Sequence, residues 1–146
     1  MKIVLGFGSN LGDREKYINT SYKLLEERLG LMLNKSSFIK TSAWGFESKE
    51  IFLNSVAVFQ TNMTPIEALR ICNQIEKELG RKREGNTYQN RTIDIDILFY
   101  EDIILNTPEL IIPHPLIQER DFVLTPLKEI LPNLIHPVLK IRIGDI

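Results

Sequence analysis

The chain has 146 residues, 43% hydrophobic and 25% charged, with a formal net charge of -1, which suits one domain spanning 1–146. That balance argues against a protein living mainly on nucleic acid or an anionic membrane, and Cys72, the only cysteine, excludes an internal disulfide, a Cys-based metal site and a CxxC pair. No run approaches the roughly 20 apolar residues of a membrane span, and the N-terminal residues lack the features of a signal peptide, so a cytoplasmic protein is expected.

Residues 2–8 alternate as a first strand, and 9–12 are turn formers. Asp13 caps a helix expected over 14–29, whose stripe is Ile18, Tyr22, Leu25 and Leu29, with Gly30 as its stop. Residues 35–42 read as a second, weaker strand and 43–51 as a loop. A better strand covers 52–60, with Leu53, Ser55, Ala57 and Phe59 on one face and Phe52, Asn54, Val56, Val58 and Gln60 on the other. Thr64, Pro65 and Glu67 spell a capping box and an N1 proline for a second helix. Its stripe is Ala68, Cys72, Ile75 and Leu79, and Gly80 ends it.

Residues 81–91 form a polar, basic loop. A strong strand returns over 92–100, Glu101-Asp102 turns, and 103–105 are expected to run back as its hairpin partner. Prolines at 108, 113, 115, 126, 132 and 137 permit only short helices beyond, at 117–121 and 123–130. The order β-α-β-β-α-β is that of an α+β, ferredoxin-like sandwich with an added hairpin strand and a short helical C-terminal segment. Helices would cover one face of an antiparallel sheet, leaving the other for a site or for that segment.

Asp94 and Asp96 share one face of their strand, about 6.6 Å apart along it, while Ile93, Ile95 and Ile97 take the other. Two carboxylates on so apolar a strand repel and resist desolvation, and a divalent cation between them removes both costs. Carboxylates completed by substrate oxygens and water describe a Mg²⁺ site. The plainer alternative is a solvated edge strand whose charges prevent aggregation. Arg81, Arg83, Arg91 and Arg120 supply the side chain that clamps phosphate oxygens, against the alternative of a solvated basic loop. Together they suggest nucleotide chemistry.

His114, fixed between Pro113 and Pro115, can meet a phosphate or an adenine, or simply close a turn. With only two histidines, a multi-His zinc site is excluded. Asn54 offers the donor and acceptor that a heterocycle edge requires, and Trp44, Phe52 and Phe122 can sandwich a flat ring, although each alone is as well explained by core packing. The glycines of residues 6–12 match neither GxGxxG nor GxxxxGK[ST], which rules out a dinucleotide fingerprint and a P-loop.

The chain resembles the 6-hydroxymethyl-7,8-dihydropterin pyrophosphokinase family over nearly its whole length. The resemblance rests on Gly8-Ser9-Asn10-Leu11-Gly12-Asp13-Arg14, Ser36-Ser37-Phe38 with Thr41, Phe52-Leu53-Asn54, and Ile75-Glu76 with Leu79-Gly80-Arg81. It continues through Arg91-Thr92-Ile93-Asp94-Ile95-Asp96-Ile97-Leu98, Pro113-His114-Pro115 and Glu119-Arg120-Asp121-Phe122. The Arg-x-x-Asp-x-Asp element is the most specific piece.

The resemblance implies a ferredoxin-like enzyme of folate biosynthesis that moves pyrophosphate from ATP to the hydroxymethyl group of the dihydropterin, using two Mg²⁺ ions. It implies that Asp94 and Asp96 hold both ions and that Arg81 and Arg91 act at the transferring phosphates. Asn73 (glutamine is usual), Glu76, Arg83, Ile97, His114 and Arg120 would line the nucleotide. Thr41, Ser42, Ala43, Trp44, Phe52, Asn54, Asp94 and Phe122 would line the pterin. The chain departs from the family at Tyr88-Gln89-Asn90 (for Trp-Gly-Pro), Ser42-Ala43 (for Pro-Pro), Glu84 (for a basic residue) and Leu116-Ile117-Gln118 (for Arg-x-His). A monomer is expected.

Two rival classes remain at this point. A ferredoxin-like nucleic-acid binder needs aromatics on the open sheet face, where this chain puts two aspartates. A scaffold domain without chemistry would tolerate, or gain from, the loss of Asp94.

Overall fold

The computed structural model describes residues 1–42, 51–80 and 92–146. β1 (Lys2–Ser9) leads to α1 (Arg14–Arg28), β2 (Gly30–Lys35), β3 (Ile39–Ser42), β4 (Ile51–Thr61), α2 (Pro65–Glu78) and β5 (Asp94–Tyr100). A small hairpin, β6 (Leu105–Asn106) with β7 (Ile111–Ile112), then precedes α3 (Asp121–Ile130). No helix among the described residues is long and apolar enough to cross a membrane.

The sheet is antiparallel, in the order β2-β4-β1-β5, with β3 also on β4. This is the ferredoxin-like arrangement expected from the element order. α1 and α2 bury Ile18, Tyr22, Leu25, Ala68, Cys72 and Ile75 against Ile3, Leu5, Phe7, Ala57, Phe59, Ile93, Ile95 and Ile97 on one face. α3 and the C-terminal segment cover part of the other, through Val123, Leu124, Leu127 and Ile143 against Val4, Val56, Val58 and Leu98. The alternation of each strand decides which residues face which helix.

The helix boundaries follow their caps. Asp13 Oδ1 accepts from Lys16 N–H at 3.2 Å. Thr64 Oγ1 accepts from Glu67 N–H (3.2 Å) while Glu67 Oε1 accepts from Thr64 N–H (3.0 Å), the reciprocal box read from the sequence. Gly80, at φ +96°, ends α2 in the left-handed region that glycine adopts without strain.

Four details differ from the sequence expectation. First, Gly30 does not merely stop α1; it begins β2, a strand over 30–35, and a Cβ there would fall 1.8 Å from the Gln60 carbonyl oxygen. Gly-Leu-Met-Leu lacks β-branched residues and reads as a helix tail, and its Leu31 and Leu33 stay exposed at the sheet edge. β2 and β3 run along β4 as one strand interrupted at 36–38, where Ser36 Oγ accepts from Val56 N–H (2.9 Å) in place of the ladder.

Second, residues 103–105 do not return along β5; Leu105 pairs with Ile112 in a separate two-stranded sheet. Third, a bulge shifts the register between Val4 and Leu5, so Leu98 and Phe99 both pack on the α3 side. Fourth, α3 starts at Asp121 and runs through Pro126, because burial of Val123, Leu124 and Leu127 outweighs the hydrogen bond that proline cannot donate.

His136 lies buried in the C-terminal segment, edge-on to Phe99, with Nδ1 accepting from the N–H groups of Val138 (3.2 Å) and Leu139 (3.1 Å). Burial holds its pKa below the ordinary value, and His114 is lowered for the same first reason. The folded chain therefore takes up these protons less readily than the unfolded one. Their contribution to stability is complete above about pH 6.5 and is lost as pH falls from there toward the folded values. Urea midpoints should fall between about pH 7.5 and about pH 5. His136→Asn keeps an acceptor that does not titrate, and should flatten that dependence. A wild-type midpoint equal at both pH values would contradict the reading.

Candidate active site

The site is organised by β5, the edge strand of the sheet. Its antiparallel register with β1 sets Asp94 opposite Gly8 and Asp96 opposite Gly6, both aspartates half-buried on the face away from α1 and α2. The isoleucines between them point into the helix-side core. Among the described residues, no further strand pairs with the outer edge of β5. Glu76, buried on α2, takes the place of one, with Oε2 accepting the Ile95 N–H at 2.8 Å. A charge-assisted bond of this kind fixes the strand that carries the aspartates and satisfies an N–H that would otherwise lie buried and unmet.

Further along the same edge, His114 N–H donates to the Leu98 carbonyl at 3.0 Å. His114 Nδ1 accepts from Leu116 N–H at 3.2 Å. An imidazole whose Nδ1 accepts carries its proton on Nε2, so the free end of the ring is a donor. Burial and then the Arg120 charge push the His114 pKa down, and Asp94 partly opposes them. Arg120 is half-buried at the start of α3, with its guanidinium 5.5 Å from the centroid of the Phe122 ring.

These groups meet in one cleft of about 400 Å³. α2 contributes Leu69, Asn73 and Glu76, β5 contributes residues 94–97, the β6–β7 turn contributes residues 107–111, and His114, Pro115 and Arg120 close it. The structure thus brings together Asn73, Glu76, Asp94, Asp96, Ile97, His114 and Arg120 from the sequence-derived set. Ile97 sends its side chain into the core, so its main chain is what it can offer the cleft. Leu69 and residues 107–111 were missed in the sequence. Thr107 closes that turn, accepting from Leu110 N–H (3.1 Å), but nothing in a Thr-Pro turn signals what it faces.

The remaining candidates lie on the same sheet face, two strands away. Asn54 is buried, and its Nδ2 donates to Thr41 Oγ1 on β3 at 2.7 Å. Phe52 and Phe122 are half-buried. Two further ties hold this side together. Glu129 of α3 accepts from Ser37 N–H (2.6 Å) and Ser37 Oγ (2.6 Å), and Arg14 donates to the Ile51 carbonyl. Glu129 gave no sequence signal, because its partner is 92 residues away. Ala43, Trp44, Arg81, Arg83, Arg91 and the Ser42 side chain lie outside the described residues, as do residues 43–50 and 81–91 of the two expected loops.

Asp94 and Asp96 fit a hard cation. Among the described residues no group of three or more His, Cys, Asp or Glu could hold a metal, and the nearby Glu76 Oε2 is committed to the Ile95 N–H. The described residues thus offer two carboxylate arms, and a shell completed by ligand oxygens and water is the habit of magnesium.

The family model for 7,8-dihydro-6-hydroxymethylpterin-pyrophosphokinase (HPPK) matches residues 4–132. A 2-amino-4-hydroxy-6-hydroxymethyldihydropteridine pyrophosphokinase of Porphyromonas gingivalis is 43% identical over 138 residues, covering 92% of this chain and 93% of that one. The Aquifex aeolicus protein of the same name is 44% identical over 138 residues, covering 94% and 85%. Among solved structures, an HPPK-DHPS in complex with substrates superposes with a TM-score of 0.80 at 19% identity, over 99% of this chain and 42% of that one. A wild-type Plasmodium falciparum HPPK-DHPS with pteroate gives 0.79 at 18%, over 99% and 41%. The chain spans less than half the length of those solved chains, and the likeness to them is one of fold. By the family match and the identity to its relatives, the chain belongs to the 7,8-dihydro-6-hydroxymethylpterin-pyrophosphokinase family.

Proposed function

We propose that this protein transfers pyrophosphate from ATP to 6-hydroxymethyl-7,8-dihydropterin, giving AMP and the dihydropterin diphosphate in folate biosynthesis. Residues 1–146 act as one pyrophosphokinase unit, monomeric and cytoplasmic, with no nucleic-acid or membrane partner. The observation that carries the reading is the shared face. Asp94 and Asp96 open on a cleft with His114 and Arg120, and Asn54 with Thr41 stands two strands away on the same side of the sheet.

The roles follow from chemistry. Asn54 reads the polar edge of the pterin and Phe122 stacks on its ring, with Thr41, Ser42, Ala43, Trp44 and Phe52 completing the pocket. Asn73, Glu76, Arg83 and the Ile97 main chain border the nucleotide. The hydroxymethyl oxygen attacks the β-phosphorus, a new O–P bond forms, and the bond to the α-phosphate bridging oxygen breaks, releasing AMP. Arg81, Arg91 and Arg120 offset charge on the phosphate oxygens, and His114 Nε2–H donates to one of them. Two Mg²⁺ ions held by Asp94 and Asp96 would supply charge neutralisation and acidify the attacking hydroxyl. No protein general base is required, and none is assigned.

A direct assay should show AMP release from ATP that depends on the hydroxymethyl dihydropterin. AMP release without the pterin would mean another acceptor or plain hydrolysis. In calorimetry, a non-hydrolysable ATP analogue should bind in a magnesium-dependent way, and Asp96→Ala should largely lose that binding. Turnover in the variant should fall roughly 100-fold or more, since metal neutralisation supplies several kcal/mol. Unchanged analogue binding in Asp96→Ala would sink the metal role.

A further inference from the structure

β1 is the middle strand between β4 and β5, and where it passes between Asn54 and Asp94 it carries Gly8. The three residues lie directly opposite one another, so they present to one face. Because the Ile95 N–H points outward to Glu76, Asp94 points its own main-chain groups inward to Gly8. Gly8 therefore forms a hydrogen-bonded pair with Asp94 and the closer, non-hydrogen-bonded kind with Asn54. That puts the Asn54 and Asp94 α-carbons about 10 Å apart across an intervening residue with no side chain.

The neighbouring glycine shows what is particular about this one. A Cβ at Gly6 would sit at ordinary contact distance, 3.4–3.5 Å, from the Leu98 side chain, so the core accepts one there. A Cβ at Gly8 would meet Asn54 Oδ1 at 3.1 Å and Phe52 Cδ1 at 3.7 Å, and no other described atom within 4 Å. Among the described residues, no core side chain fills the space above Gly8 on the Asp94 side. Nor does the backbone demand glycine, since Gly8 lies in β1 without a left-handed φ.

We infer that Gly8 is a substrate-contacting position, which rests on the acceptor reading above. Its bare main chain is the floor under the dihydropterin between the edge read by Asn54 and the hydroxymethyl group delivered to Asp94. A side chain there narrows the passage and displaces the Asn54 amide from the ring, so the missing Cβ sets both the fit and the register of the acceptor against the phosphates.

The test is calorimetry of wild type, Gly8→Ala and Gly6→Ala with two probes. One is a non-hydrolysable ATP analogue with magnesium, and the other is hydroxymethyl dihydropterin added to that complex. Gly8→Ala should weaken dihydropterin binding roughly 10-fold, the scale of an overpacked contact. Its analogue affinity should stay within about 2-fold and its melting temperature should not fall. In turnover, KM for the pterin should rise more than kcat falls. Gly6→Ala should keep both the melting temperature and the dihydropterin affinity. Equal dihydropterin affinity in Gly8→Ala and wild type overturns the role of Gly8 alone. Equal loss of both ligands in Gly8→Ala, as a damaged fold would give, overturns it too. Failure of wild type to bind dihydropterin overturns the acceptor reading and this inference with it.

Discussion

The antiparallel pairing of β1 with β4 on one side and β5 on the other is the constraint on which the site depends. Strand side chains alternate with a period of two, so a slip of one residue in either ladder would turn Asn54 or the aspartates to the wrong face. With Gly8 opposite both Asn54 and Asp94, the Asn54 amide and the Asp94 carboxylate stand on the same side of the sheet. The apolar residues between them enforce that register. Leu53, Ile93 and Ile95 must reach the core under α1 and α2, and Leu98 and Val56 the core under α3. The hydrophobic effect thus places polar groups that it does not touch.

The exposed edge of β5 raises a second problem and solves it usefully. An edge strand carrying two like charges has little reason to stay in place. Here the Glu76 carboxylate takes the Ile95 N–H, and His114 N–H takes the Leu98 carbonyl. Both caps come from the walls of the cleft. The residues that complete the strand therefore also border the cleft, and loss of either would loosen the carboxylates as well as the cleft wall. On the Asn54 side, the Glu129 bonds to Ser37 tie α3, which carries Phe122, to the strands that carry Thr41 and Asn54.

Much of this was legible in the sequence because it is written locally. The capping box at Thr64 and Glu67, the stripes of α1 and α2, and the opposed faces of Asp94 and Ile95 are each contained in a few adjacent residues. What was not legible depends on distant partners. Strand β2 is held by pairing with β4, not by its own weak β propensity, so Gly30 looked only like the stop of a helix. Residues 103–105 looked like the hairpin partner of β5 because strand periodicity says nothing about which strand is the partner. The cleft residues at 107–111 carry one charge, Glu109, and no motif. The choice of pterin and ATP came from resemblance, and family membership now stands on its own comparison. The contrast between Gly6 and Gly8 required coordinates, since the two glycines are equivalent in any pattern.

The central claim is that Asp94 and Asp96 together hold divalent metal only in concert with nucleotide oxygens. Electron paramagnetic resonance of manganese titrated into the protein with a non-hydrolysable ATP analogue and the dihydropterin tests it most directly. The account expects two tightly bound ions in the wild type, few without the nucleotide, and loss of both in Asp94→Asn with the fold intact. Full retention of both ions in Asp94→Asn would contradict it.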